Sequence, residues 1–208
     1  MSTLLYIKAS PRGPRSHSIA VADAFLEAYQ EKNTGDLVTT RNLFEEVLPA
    51  FDGPLLQAKY NVIRGLTHDQ EQIKAWQGVE RLVDELKHCS KLVLAVPMWN
   101  YTVPYRLKQY IDLIVQPGIS FVADATGVRG LIEDKPVFIA YASGGQYPTG
   151  TAASALDFQR PYLEAILRLI GLKNICAVRV EGTLAGEETV SERRNKAIAE
   201  ARRLAETF

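Results

Sequence analysis

Lys91-Leu92-Val93-Leu94-Ala95-Val96-Pro97 is the stretch on which the fold turns: an unbroken apolar run between a lysine and a proline. A strand with one face in water alternates polar and apolar residues, whereas an unbroken run wants both faces covered, as in the centre of a parallel sheet. Parallel neighbours need long crossover connections, so helices must flank such a strand. The sequence supplies them on both sides. Upstream, Thr67-His68-Asp69-Gln70 matches a capping box, with the Thr67 hydroxyl able to satisfy the Gln70 N–H, and Ile73, Trp76, Val79, Leu82, Val83 and Leu86 follow on one helical face. Downstream, Pro104 is suited to open a helix that carries Leu107, Tyr110, Ile111 and Ile114 as far as Pro117-Gly118.

The same alternation extends to both ends of the chain. TLLYIKA at 3–9 reads as a buried strand stopped before Pro11, and Ile19, Val21, Ala22, Phe25, Leu26 and Tyr29 recur at helical spacing until Asn33 and Gly35. LVTTRNLF at 37–44 is a second strand, and the weakly periodic segment from Glu45 to Leu66 is irregular or partly helical. KPVFIAYAS at 135–143 is a fourth strand, followed by a helix over 155–169 with Gly171 as its C-terminal cap. NICAVRVEG at 174–182 is a fifth, and the chain closes on a charged helix from Glu188 with Ala197, Ile198, Ala201 and Leu204 inward. Five strands alternating with helices predict one α/β domain over residues 1–208, a flavodoxin-like three-layer sandwich with a parallel sheet of order 2-1-3-4-5. The long connection from Gly118 to Asp134 contains ISFVADA, a candidate small hairpin and a candidate wall of a pocket.

Composition narrows the function. Lysine plus arginine number 24 and the acidic residues 24, so no excess charge attracts a polyanion, and nucleic acid is not an expected partner. The first residues show no basic leader, and no apolar run approaches the roughly 18 residues of a membrane span. A cytoplasmic protein without a membrane partner is expected. Cys89 and Cys176 belong to no C-x-x-C pattern and read as reduced, buried thiols. His17, His68 and His88 form no metal set, and neither a nucleophile elbow nor H-E-x-x-H occurs, so no metal ligand and no catalytic side chain is assigned.

In an open parallel sheet, ligands bind beyond the carboxyl ends of the strands, near the point where the strand order reverses. Three loops fall there. Ser10-Pro11-Arg12-Gly13-Pro14-Arg15-Ser16-His17-Ser18 follows the first strand, and Ser16 or Ser18 can cap the next helix, leaving N–H groups at the positive end of its dipole. The stretch lacks the lysine of a triphosphate loop and the glycines of a dinucleotide loop, which favours a monophosphate held by hydroxyls and amides over either. An ordinary serine-capped loop is the plain alternative. Arg12 and Arg15 reach either phosphate oxygens or solvent. Met98-Trp99-Asn100-Tyr101 follows the third strand with side chains suited to a planar ring, or to plugging the sheet. Ser143-Gly144-Gly145-Gln146 follows the fourth, its paired glycines allowing close backbone approach or merely a tight turn.

These features resemble the FMN-dependent NADH-azoreductases and related quinone reductases of flavodoxin-like fold. The resemblance rests on the serine-rich loop, on P-M-W-N-Y-T-V-P-Y-R-L-K-Q-Y-I-D at 97–112, on G-L-I-E-D-K-P-V near 130, on S-G-G at 143 and on I-G-L at 170–172. It implies that Ser10, Ser16, His17 and Ser18 bind the FMN phosphate. It places Met98, Trp99, Asn100 and Tyr101 along the isoalloxazine, and Ser143, Gly144, Gly145 and Gln146 near its pyrimidine end. It further implies NADH or NADPH as donor, quinones and aromatic azo compounds as acceptors, two alternating half-reactions in one pocket, and a homodimer whose second subunit completes that pocket. Two departures are visible: S-G-G-Q stands where the family often has S-R-G-G, one residue longer, and a tyrosine follows Asn100 where phenylalanine is common. The alternative is an electron carrier of flavodoxin type, commonly strongly acidic where this chain is balanced.

Overall fold

The computed structural model describes residues 2–208. Its main sheet contains β1 (Thr3–Lys8), β2 (Leu37–Asn42), β3 (Lys91–Pro97), β6 (Val137–Ala142) and β7 (Ile175–Val180), all parallel, in the order β2-β1-β3-β6-β7. Taken as the first to fifth strands of that sheet, this is the expected 2-1-3-4-5 arrangement. The remaining strands, β4 (Phe121–Asp124) and β5 (Gly127–Gly130), form a separate antiparallel hairpin where ISFVADA predicts one.

Alternate side chains of the central strands serve two cores. Leu5, Ile7, Leu92, Leu94, Val96, Val137, Ile139 and Tyr141 point to one face. There they meet α2 (Gly53–Arg64), α3 (Gln70–His88), α4 (Tyr105–Ile114) and α5 (Gln159–Ile170). Leu4, Tyr6, Val93, Ala95, Phe138 and Ala140 meet α1 (His17–Lys32) and α6 (Glu187–Ala205) on the other, with Phe25 stacked on Phe138 at 3.8 Å between ring centroids. Each fully buried aliphatic side chain contributes about 1.5–3 kcal/mol relative to exposure, so the doubly covered β3 accounts for a large share of the fold's stability.

Four local expectations shift. The capping box of α3 is built on Asp69, not Thr67: Asp69 Oδ1 accepts from Gln72 N at 2.8 Å and Gln72 Oε1 accepts from Asp69 N at 3.2 Å. A carboxylate at that end also interacts favourably with the helix dipole. Pro104 caps α4 rather than opening it, its carbonyl accepting from Lys108 N at 2.9 Å. α5 begins at Gln159, and residues 152–156 form a tighter turn that leaves Leu156 exposed. A start at 155 would put Pro161 in the helix interior, whereas a start at 159 keeps it in the first turn, where no intrahelical N–H is needed. Cys176 is half-buried, while Cys89 is buried as expected.

Two glycines allow the hairpin to dock. A Cβ on Gly130 would lie 2.2 Å from Gly171 N, and one on Gly171, at φ 118°, would lie 2.2 Å from the Ile132 carbonyl oxygen. Among the described residues no helix is long and apolar enough to cross a membrane.

Candidate functional site

The sheet brings the three candidate loops together. Ala9 N donates to Ala95 O at 3.0 Å, Met98 N to Ala142 O at 2.7 Å and Ser143 N to Val180 O at 3.0 Å, so the ladder runs out to the root of each loop. Because β1, β3 and β6 are adjacent, Ser10, Met98 and Ser143 start from one edge spanning roughly 10 Å at the usual strand spacing.

In the first loop Gly13, at φ 54°, opens a single tight turn over Gly13–Arg15, after which Ser16 caps α1. Of the two possible caps, Ser16 is the one used: its Oγ accepts from Ile19 N at 3.5 Å and lies 3.2 Å from Ser18 Oγ. Ser10 Oγ accepts from Arg12 N at 3.4 Å. All three serines are buried, yet the Ser10 hydroxyl proton and one of the two shared by Ser16 and Ser18 meet no acceptor among the described residues. His17 Nδ1 is likewise buried without a partner. Such orphaned groups cost about 1–3 kcal/mol each unless a ligand or water satisfies them. Burial, followed by the positive charges of Arg12 and Arg194, holds the His17 pKa below the ordinary imidazole value. Unpaired hydroxyl donors, a helix N-terminus and two guanidinium charges together suit an oxyanion.

The second loop is a two-residue turn. Trp99 N donates to Thr102 O at 2.9 Å and Thr102 N to Trp99 O at 3.0 Å, while Asn100 and Tyr101 lie at φ 46° and 69°. Two positive central φ values mark a type I′ turn, which asparagine tolerates and tyrosine resists. The closing bonds use Trp99 and Thr102 and leave the Asn100 and Tyr101 amides outside the pair. Trp99 is propped by Phe44 and Tyr105, at 5.6 and 6.2 Å between ring centroids, and a cavity of about 410 Å³ opens between Trp99, Tyr105 and Tyr162. Met98 and Trp99 are half-buried and Asn100 and Tyr101 exposed.

The third loop is tied to the connection between β7 and α6. Ser143 Oγ donates to Gly145 O at 2.9 Å, Gly182 N to Gly145 O at 2.9 Å and Thr183 N to Ser143 O at 3.1 Å. A Cβ on Gly144 would lie 2.9 Å from Leu184 Cδ1. The glycine therefore makes room for a neighbouring loop as well as for any ligand. Gln146 is exposed.

All twelve residues singled out in the sequence thus lie at one edge of the sheet, His17 and Ser18 in the first turn of α1 and the other ten on the loops. Phe44 and the 182–184 loop are additions of the structure, from the connections that follow β2 and β7, and Arg194 of the C-terminal helix acts on His17 through its charge; no local pattern in the sequence marks them.

Known proteins are similar to this chain over its length. A family model of flavodoxin-like fold matches residues 2–205. An FMN-dependent NADH:quinone oxidoreductase of Nitratidesulfovibrio vulgaris is 49% identical over 209 aligned residues, covering all of both chains. The chain belongs to this family. A member from Desulfotalea psychrophila is 38% identical, with 97% of this chain and 93% of that one covered. Among solved structures, an azoreductase from Bacillus anthracis superposes with a TM-score of 0.91 at 27% identity over the full length of both chains. An FMN-dependent NADH-azoreductase from the same species, solved in complex with FMN, has a TM-score of 0.89 at 27% identity, covering 99% of this chain and 98% of that one.

Proposed function

We propose that this chain is an FMN-dependent NADH:quinone oxidoreductase that also reduces aromatic azo compounds, with residues 1–208 acting as one flavin-binding domain. The observation that carries the reading is the set of buried polar groups at the start of α1: the hydroxyls of Ser10, Ser16 and Ser18, of which the Ser10 proton and one of the Ser16–Ser18 pair meet no acceptor among the described residues, and the unpartnered Nδ1 of His17. This donor set fits a phosphate monoester, and its place at the switch point of the sheet fits the family's cofactor.

In this reading Ser10, Ser16, His17 and Ser18 hold the FMN phosphate, Met98, Trp99, Asn100 and Tyr101 run along the ring, and Ser143, Gly144, Gly145 and Gln146 meet its pyrimidine end. Bound FMN supplies the redox chemistry, hydride uptake from NADH and delivery to a quinone or azo acceptor in two successive half-reactions. The chain's own task is to bind, orient and exclude water. Backbone N–H groups at Gly144 and Gly145 stabilise negative charge at the pyrimidine edge. The turn at Asn100 and Tyr101, propped by Trp99 and Phe44, fixes one side of a flat slot. No protein nucleophile is required.

We further propose that the protein is a cytoplasmic homodimer whose second subunit closes the slot. Two free cysteines suit a reducing compartment, and Tyr101, Tyr105 and Phe158 leave apolar surface exposed around the site. Full activity from a species that elutes as a monomer would overturn the dimer.

The deciding experiment is a visible spectrum of the purified protein with added FMN, followed by NADH and then a quinone or azo dye. Uptake of flavin, bleaching by NADH alone and recovery of colour with the acceptor are expected. Bleaching that required a protein partner would favour the electron carrier instead, and absence of flavin uptake would overturn the reading. Repeating the bleaching with NADPH ranks the two donors.

A further inference from the structure

Helices α1 and α6 lie side by side on one face of the sheet. Two ion pairs set their register: Arg202 with Glu27 at 2.8 Å and Lys32 with Glu206 at 3.8 Å. The first joins residues 175 apart, and the second keeps nearly the same offset further along, so the helices run in the same direction. Carried back two turns, that offset brings Arg194 level with Ile19 in the first turn of α1, two residues beyond His17. Arg194, Ile198 and Arg202 succeed one another at i, i+4 and i+8 along one stripe. Ile198 packs into the core shared with α1, and Arg202 reaches Glu27 of α1. Arg194 therefore lies on the α1 side of α6, in the half that runs beside the first turn of α1.

Its bonding sets it apart. α6 carries arginines at 193, 194, 202 and 203. Arg193 donates to the Gly182 carbonyl at 3.0 Å, Arg202 pairs with Glu27, and Arg203 pairs with Glu200 at 2.7 Å. Arg194 is half-buried and, among the described residues, makes neither an ion pair nor a side-chain hydrogen bond. Its charge is nevertheless felt at His17, together with that of Arg12. A partly desolvated guanidinium with no anion beside it is unfavourable, and the oxyanion donors of the serine loop stand at the start of the helix against which Arg194 is set.

We propose that Arg194 is a specificity residue of the phosphate site, contributing from α6 the charge that ranks the phosphorylated flavin above the unphosphorylated one. The proposal rests on the assignment of the serine loop to FMN. Hydroxyls and a helix dipole offset roughly half an elementary charge, whereas a phosphate monoester brings close to two. Arg12 is exposed and screened by solvent and salt; Arg194 is less so.

The test is flavin-fluorescence titration of the apoprotein with FMN and with riboflavin, at low and high salt, for wild type, Arg194→Gln, Arg194→Met and Arg194→Lys. The urea midpoint of each apoprotein is measured alongside. The neutral variants should bind FMN roughly tenfold more weakly at low salt, with riboflavin affinity and urea midpoints unchanged and Lys restoring most of the loss. Unchanged FMN affinity overturns the proposal, as does equal weakening of both flavins, which marks a merely structural role. Should one neutral variant unfold early, the other and the Lys variant decide. A wild type that binds neither flavin refutes the FMN assignment itself, a result distinct from loss of the preference alone.

Discussion

The backbone N–H of Phe158 donates to the carbonyl of Tyr101 at 3.0 Å, so the chain entering α5 holds the second residue of the turn that follows β3. That residue is a tyrosine at φ 69° with 47% of its surface exposed. A left-handed conformation costs a non-glycine residue about 1–2 kcal/mol, and little packing offsets it here. Tyr101→Gly should therefore raise the melting temperature of the apoprotein by about 2–4 °C, after allowance for the freer unfolded chain. Calorimetry that showed a lower melting temperature would mean the ring packs more than its exposure indicates.

Gly130→Ala should destabilise by about 3 kcal/mol or more. The new methyl meets the backbone of Ile170 and Gly171, not a side chain that can swing away. The hairpin of β4 and β5 must then lift from α5. Urea unfolding monitored by circular dichroism gives the loss directly; a change under 1 kcal/mol would show that the docking is loose.

Lys135 is buried and its ammonium donates to the carbonyls of Leu86 at 2.9 Å, Lys87 at 3.0 Å and Cys89, closing the C-terminus of α3. Lys135→Met keeps the length but strands these carbonyls, at an expected cost of about 2–4 kcal/mol in urea. A neutral outcome would indicate that water replaces the ammonium.

His17 gives the apoprotein a pH dependence. Its folded pKa lies below the unfolded value near 6.5, so around pH 6 the unfolded chain binds more protons and stability rises with pH. This contribution is complete above the unfolded pKa and is lost as pH falls from about 6.5 through the folded value. Melting temperatures measured between pH 7.5 and 5 should drop, and His17→Asn should flatten the profile. Identical profiles would exclude His17 as a contributor.

Cofactor binding should itself stabilise. At a free FMN concentration about 100 times Kd, linkage adds about 2.7 kcal/mol, or roughly 5–10 °C in melting temperature for a chain of this size. Riboflavin at the same concentration should do less. A thermal shift with neither flavin would mean the loops hold neither.

Legibility in the sequence followed the range of the interactions. Strand β3 and its flanking helices were readable because burial on both faces writes an unbroken apolar run, and the hairpin because ISFVADA stands apart from its surroundings. Helix α2 was not. It buries Leu55 and Ala58 but exposes Leu56, Tyr60 and Ile63, so apolar residues on both sides blur its period. The capping box stands at Asp69 and not Thr67, since both offer a side-chain oxygen three residues before a glutamine, Gln72 and Gln70 respectively, and only the packed helix chooses. The site divides the same way. The twelve candidate residues drew notice through odd composition at predictable strand ends, although the left-handed turn at Asn100 and Tyr101 lacks the glycine that usually announces one. Phe44 props Trp99 from the connection after β2, and the charge of Arg194 acts on His17 from the C-terminal helix, relations that only tertiary packing creates.

The bonds from Ala9, Met98 and Ser143 to the neighbouring strands have a thermodynamic sequel. Each loop begins directly at the hydrogen-bonded end of a central strand, so its base is held by the sheet. A ligand entering there finds the framework already ordered and loses little chain entropy on binding. Differences in affinity between ligands of this edge then reside mainly in how slowly each departs, rather than in how quickly the edge assembles around it.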